Sequence, residues 1–195
     1  MLSFTELNPT EALTRNHDRG SFISGVGKLD NYLRDRSVGD IEKNVSRIFV
    51  LTLKDKPEAI VGYYSLSSLL VPTDGIPEAI RKKLPNYDAL GTTLMGKLAI
   101  AENFQRDKCN LRLGEHLLID AMYRAWLASQ QVASYALIVD VLIGEKGDPT
   151  SFYTKNGFMA YESKKNRLFL PMATIEQSLR MNGLISTAPI KPRFG

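Results

Sequence analysis

Two apolar runs with an amphipathic helix between them constrain this chain more than any other feature. "TTLMGKLAI" reads as a strand. "YALIVDVLI" is a continuous apolar run, as expected of a strand covered on both faces. Between them Leu113, Leu117, Leu118, Ala121, Met122, Ala125 and Trp126 form one stripe at helical spacing. Strand, helix and strand in that order predict a crossover joining two parallel strands of one sheet.

The flanking segments complete the expectation. "SRIFVLTL" and "AIVGYYSLSSLLV", separated by "KDKPE", predict an antiparallel hairpin from their Val, Ile, Phe and Tyr content. Residues 2–7 read as a short strand, and 28–43 as a helix that Gly39 weakens. "IPEAIRKKL" is a short helix entered through Pro77. "DPTSFYTKNGF" is a helix capped at Asp148 and ended by Gly157, followed by the strand "RLFLPM" and the helix "ATIEQSLRMNG". The expected fold is a single α/β domain over residues 1–185. It has a mixed, mostly antiparallel sheet, a parallel crossover and helices on both faces. A loose tail is expected over 186–195.

Composition narrows the function classes. A chain of 195 residues can bury a core unaided. Its one cysteine, Cys109, excludes an internal disulfide and a cysteine-rich zinc site, and His17 and His116 lie far apart, so no metal is expected. No run is long enough to span a bilayer, and the N-terminus lacks the order of a secretory signal, so the cytoplasm is the expected location. The net charge of +4 and pI of about 9.1 fit an anionic partner but do not choose between nucleic acid and a phosphorylated cofactor.

The stretch "KLAIAENFQRDKCNLRLGEHLLIDA" has the layout of a phosphate-cradling loop, in which a strand passes through a basic turn into a helix N-terminus. Its centre reads Arg112-Leu113-Gly114, where Gly-x-Gly would be usual. An arginine has less backbone freedom than glycine but can offer bidentate charge to phosphate.

The order of motifs resembles the GNAT N-acetyltransferases, and within them the acetyltransferase toxins of bacterial toxin–antitoxin pairs. The likeness runs through "FISGVGKLDNYLRDR", "RIFVLT", "IVGYYSLSS", "GKLAI", "LGEHLLIDAM", "SFYTKNGF" and "RLFLPMATI", nearly the whole chain. It implies acetyl-CoA as cosubstrate, its pantetheine arm paired with the edge of Leu98, Ala99 and Ile100. It places the pyrophosphate on Leu113, Gly114 and Glu115. Arg106, Lys108, Asn110 and Arg112 would rebuild the loop around a short insertion at 106–110. Asn110 tolerates a left-handed backbone. Gln105 resembles the loop's leading residue but stands too far from Gly114 in sequence.

Tyr153 matches the family's tyrosine near the thioester sulfur, and a phenol is a suitable acid for a departing thiolate. No carboxylate stands out as base; Asp140 interrupts its apolar run and marks the mouth of that strand. The resemblance further implies acetylation of the amino group of aminoacyl-tRNA, a homodimer, and neutralisation by a ribbon–helix–helix antitoxin. Lys82 with Lys83, Lys164-Lys165-Arg167, and Lys28 with Arg34 are the basic groups available to an RNA backbone. Two other readings stay open: the same chemistry on a small amine or a protein N-terminus, and a GNAT-shaped binding module with a degenerate cofactor loop.

Overall fold

A computed structural model describes residues 2–144 and 146–186. The expected tail therefore lies, apart from Ser186, outside the described residues.

The predicted hairpin is formed by β2 (Arg47–Thr52) and β3 (Ile60–Pro72), paired antiparallel. A two-residue strand, β1 (Glu11–Ala12), lies on the outer edge of β2. On the other side β3 pairs antiparallel along the whole of β4 (Ala89–Ile100). The crossover follows as predicted: β4, helix α4 (Leu113–Ser129), then β5 (Ala136–Asp140) parallel to β4. β7 (Arg167–Pro171) pairs antiparallel with β5, and the short β6 (Met159–Ala160) closes the far edge. The strand order is β1-β2-β3-β4-β5-β7-β6, a mixed and mostly antiparallel sheet.

Alternation along the strands sorts the core into two faces. Leu51, Val61, Tyr64, Met95, Leu137, Val139, Leu168 and Leu170 face α4 and α6 (Met172–Met181). Ile48, Val50, Tyr63 and Ala99 face the other way, beneath the helical segment Gly27–Glu42. Ala136, Ile138 and Phe169 turn to that same side, where they pack with Ile76 and Ile80 near the short α3 (Glu78–Arg81). Every residue of the predicted stripe on α4 is buried; the fully enclosed leucines each contribute about 1.5–3 kcal/mol.

The segment Gly27–Glu42 is not a uniform helix. It runs as α1 (Gly27–Asn31), a π-helical turn (Tyr32–Arg36) and α2 (Ser37–Glu42). Within it Leu33 is fully buried, and the Ser37 hydroxyl donates to the Leu33 carbonyl one turn back.

Two expectations are corrected. Residues 2–7 do not form a strand: Phe4–Glu6 is a 3₁₀ turn, with the Glu6 carboxylate accepting from the Ser3 amide at 2.7 Å, and only Leu7 makes a β-bridge, to Leu53. The local cap satisfies the backbone that a strand would have paired. The run "YALIVDVLI" leaves the sheet at Asp140; Val141 stays buried, while Leu142 and Ile143 are exposed. The two-residue strands β1 and β6, for which the sequence carried no expectation, are too short to show a pattern.

Candidate active site

The site begins with a mismatch in strand length. β4 has 12 residues, but only Thr93, Leu94 and Met95 pair with β5. A bulge falls at the point of divergence: Leu66 opposes Met95 and Ser65 opposes Lys97, so Gly96 is the extra residue. Beyond it the two parallel strands separate.

Backbone alternation then decides which groups face the gap. The Ala101 amide donates to the Val61 carbonyl at 2.9 Å, so Ala101, Ala99 and Lys97 direct their backbone groups at β3. Leu98 and Ile100 therefore present theirs to the open edge. Consistently, the Ile100 carbonyl accepts from Gln105 Nε2 at 3.0 Å on that side. Of the three residues singled out for this edge, Leu98 and Ile100 offer backbone groups to the gap, whereas those of Ala99 are used within the sheet.

A cavity of about 670 Å³ fills the gap. It is lined by Met95–Leu98 of β4, the turn Gly25–Leu29 leading into α1, the segment after β5, and α5 (Thr150–Lys155). α5 is placed as its sequence predicts. Asp148 Oδ1 accepts from the Thr150 amide at 2.8 Å, and Gly157, with φ +89°, adopts the left-handed conformation that ends the helix.

Tyr153 lines this cavity. Its ring stands edge-on to Phe152 at 5.0 Å and Phe158 at 5.6 Å, and its hydroxyl makes no hydrogen bond among the described residues. Burial pushes the phenol up to about 12, so it is protonated throughout the physiological range.

A second cavity of about 220 Å³ lies at the start of α4, and Phe152 borders both. Arg106, Arg112, Leu113, Gly114 and Glu115 line it, as does Gln105. Exposed Lys108 and Asn110 do not; they sit on a turn in which the Gln105 carbonyl accepts from the amides of Lys108 (2.9 Å) and Cys109 (2.8 Å). Cys109 is buried in the core, and so anchors the insertion from beneath. The turn absorbs the extra residues, which is why Gln105 reaches the helix start despite its distance in sequence. Its amide also donates to the Ser24 carbonyl at 2.9 Å.

The missing glycine has a local answer. Arg112 is the N-cap of α4 with φ −87°, an angle open to any residue, and its guanidinium pairs with Glu115 at 3.3 Å. Asn110 is not among the residues with positive φ, so its tolerance of a left-handed backbone is not used. At Gly114 an added Cβ would stand 3.8 Å from the Phe152 ring, an ordinary contact.

Sequence reasoning missed three features of the site. Lys97 lines the first cavity, with its ammonium 4.8 Å from the Tyr32 ring centroid. Lys146 reaches from the segment after β5 to Glu102 (2.8 Å) and the Ser24 carbonyl (3.0 Å), tying that segment to the far end of β4. Gly25, with φ +76°, sits hard against this link; a Cβ there would fall 1.9 Å from Lys146 Nζ. None has a sequence signature, because each depends on which loops meet across the cleft.

Asp140 is at the mouth of its strand as expected, but committed. Burial would raise its pKa; hydrogen bonds from Arg167 (2.7 and 2.8 Å) and Lys164 (2.8 Å) outweigh burial and hold it below the usual carboxylate value. Asp140 thereby balances one of the three positive charges of the Lys164-Lys165-Arg167 cluster. Lys82 likewise pairs with Glu78, and Arg34 with Asp35. Among the described residues no cluster of His, Cys, Asp and Glu could hold a metal, and no helix is long and apolar enough to cross a membrane.

A sheet splayed between two parallel strands, with a free strand edge on one side of the cleft and a helix N-terminus at its end, is the architecture of the GNAT acyltransferases. The comparisons agree. No family model matches the chain. A tRNA-acetylating toxin of Mycobacterium tuberculosis is 34% identical over 128 residues, 66% of this chain and 72% of that protein. A probable toxin TacT of Sinorhizobium fredii is 24% identical over 163 residues, 82% and 87% of the two chains. Among solved structures, a tyrosine-to-phenylalanine mutant of KacT superposes with a TM-score of 0.79 at 28% identity, over 89% of this chain and 99% of that one. AtaT complexed with acetyl-methionyl-tRNA gives 0.77 at 26%, over 89% and 99%. AtaTR bound with acetyl-CoA gives 0.73 at 26%, over 90% and 99%. The chain belongs to the GNAT-fold acetyltransferase toxins of toxin–antitoxin systems.

Proposed function

We propose that this toxin transfers the acetyl group of acetyl-CoA to the amino group of aminoacyl-tRNA and so blocks translation. The observation that carries the proposal is the open edge of β4 beyond Gly96, which runs from the α4 N-terminus to Tyr153 along two adjoining cavities. Pyrophosphate would rest on the first amides of α4, where the helix dipole favours an anion, with Arg106 and Arg112 adding charge. The pantetheine arm would extend along Leu98 and Ile100. Pairing at Ile100 requires the Gln105 amide to give up that carbonyl. Lys108 and Asn110 lie on the adjoining turn, outside the lining of the cavity.

The thioester would then lie beside Tyr153. The neutral amine attacks its carbonyl, the C–N bond forms, the C–S bond breaks, and the tyrosine protonates the departing thiolate. The nitrogen's proton passes to water and restores the phenol. No residue supplies a metal centre in this scheme. The negative φ of Arg112 supports a working loop over a decayed one, since nothing in the backbone there calls for glycine.

The relatives are described as a tRNA-acetylating toxin and as AtaT in complex with acetyl-methionyl-tRNA, which favours charged tRNA as acceptor. With Lys164, Arg167, Lys82 and Arg34 paired internally, Lys28, Lys83 and Lys165 are the basic residues of the three predicted groups that make no ion pair among the described residues. We extend the same reading to a cytoplasmic toxin, a homodimer, a single domain over residues 1–185 and a ribbon–helix–helix antitoxin. The decisive test is transfer of labelled acetyl to charged tRNA but not to the same tRNA deacylated. Equal labelling of free amines and no labelling of charged tRNA overturns the acceptor; failure to bind acetyl-CoA in calorimetry overturns the enzyme.

A further inference from the structure

The charges bordering the cavity that holds Tyr153 are unusual for a site that must receive an amine. An amine is unreactive while protonated, so a base or a low intrinsic pKa has to free its lone pair. The carboxylates here are engaged. Asp140 accepts from both Arg167 and Lys164, and Asp148 caps α5 through the Thr150 amide.

Two of the three cations bordering the cavity have no carboxylate partner among the described residues. The Lys97 ammonium makes one hydrogen bond, to the neighbouring Gly96 carbonyl at 3.1 Å, and has no carboxylate within ion-pair distance among the described residues. It is half-buried and fixed in place, because the bulge at Gly96 and the Tyr32 ring set its direction. Tyr32 is held in turn by its hydroxyl, which donates to Asp40 at 2.9 Å. From α1, Lys28 also borders the cavity without an ion pair, while Lys146 is matched by Glu102. Burial lowers the Lys97 pKa, with Asp40 and Asp140 opposing the shift.

We propose that Lys97 keeps the bound acceptor unprotonated: its positive charge disfavours the protonated form of an amine held in the cavity, so that the reactive neutral form predominates there. Two like charges confined together at a protein surface repel by about tenfold or more in an equilibrium constant. An α-amino group titrates near about 8 and an ester-linked one lower, against about 10.4 for a lysine side chain. The weaker base enters neutral at little cost. This inference rests on acetyl transfer taking place in this cleft.

The test compares the wild type with Lys97→Met and Lys97→Arg, using charged tRNA and spermidine as acceptors. The acid limb of kcat against pH reports the enzyme–substrate complex. In Lys97→Met that limb should move up by about one pH unit with either acceptor. Lys97→Arg should keep the wild-type limb, since it keeps the charge. An unmoved limb in Lys97→Met overturns the proposal. So does loss of turnover at every pH in both variants, which would make Lys97 a base. Circular dichroism melts and calorimetry with CoA check the fold, and Lys97→Gln replaces the methionine variant if that one does not fold. A wild type that binds acetyl-CoA yet acetylates no amine overturns this inference and the proposed function together.

Discussion

Tyr153 and Arg112 are single residues whose local settings make separate claims. With its phenol pushed up to about 12, Tyr153 keeps its proton far above neutrality. The alkaline side of the kcat profile should therefore stay level to about pH 10–11 as far as this group is concerned. Tyr153→Phe should lower kcat by about 10²–10⁴-fold and leave acetyl-CoA affinity nearly unchanged, as single-turnover kinetics and calorimetry would show. Arg112 is defined by charge and not by backbone. Arg112→Ala and Arg112→Gly should weaken acetyl-CoA binding alike, by roughly 5- to 30-fold, as expected for losing one charge-assisted hydrogen bond. If glycine restored binding that alanine lost, the arginine would be occupying a conformational position after all.

At the scale of elements, the close approach of β3, β4 and α4 is the sharpest constraint. A Cβ at Gly62 would lie 2.7 Å from Ile100 Cδ1, 2.9 Å from the Ala99 carbonyl and 2.9 Å from Leu117 Cδ1. Gly62→Ala should destabilise the fold by about 1–3 kcal/mol in urea titration, because backbone and helix must both shift. Gly114→Ala meets only the Phe152 ring at ordinary distance and should change stability by no more than about 0.5 kcal/mol. The crossover that creates this packing was plain in the sequence, since α4 shows seven apolar residues in helical register and β5 a run of apolar residues. The ends of elements were not plain. In "YALIVDVLI" only the charge of Asp140 marks the end of pairing, because Val141 is buried and apolar as a strand residue would be. "LSFTEL" does not reveal that Ser3 and Glu6 cap a 3₁₀ turn instead of extending a strand.

For the whole molecule, the net charge of +4 says less about a nucleic-acid partner than its distribution does. Lys164 and Arg167 share Asp140, Lys82 pairs with Glu78 and Arg34 with Asp35, so these four each stand beside a carboxylate. The apparent KM for charged tRNA should rise steeply with salt if Lys28, Lys83 and Lys165 meet phosphates, each neutralised contact adding about 0.7–0.9 to the log–log slope. A slope near zero would place recognition in the cleft alone. The sequence by itself determined the sheet, its parallel crossover, the capped helix carrying Tyr153 and the strand that lines the cleft, since all of these follow from local periodicity and turn chemistry. Only the tertiary structure decided where β4 and β5 part, that Gln105 reaches the start of α4, that Asp140 is engaged and that Lys97 lines the same cavity as Tyr153. Those depend on contacts between segments tens of residues apart, and no local pattern records which charges meet there.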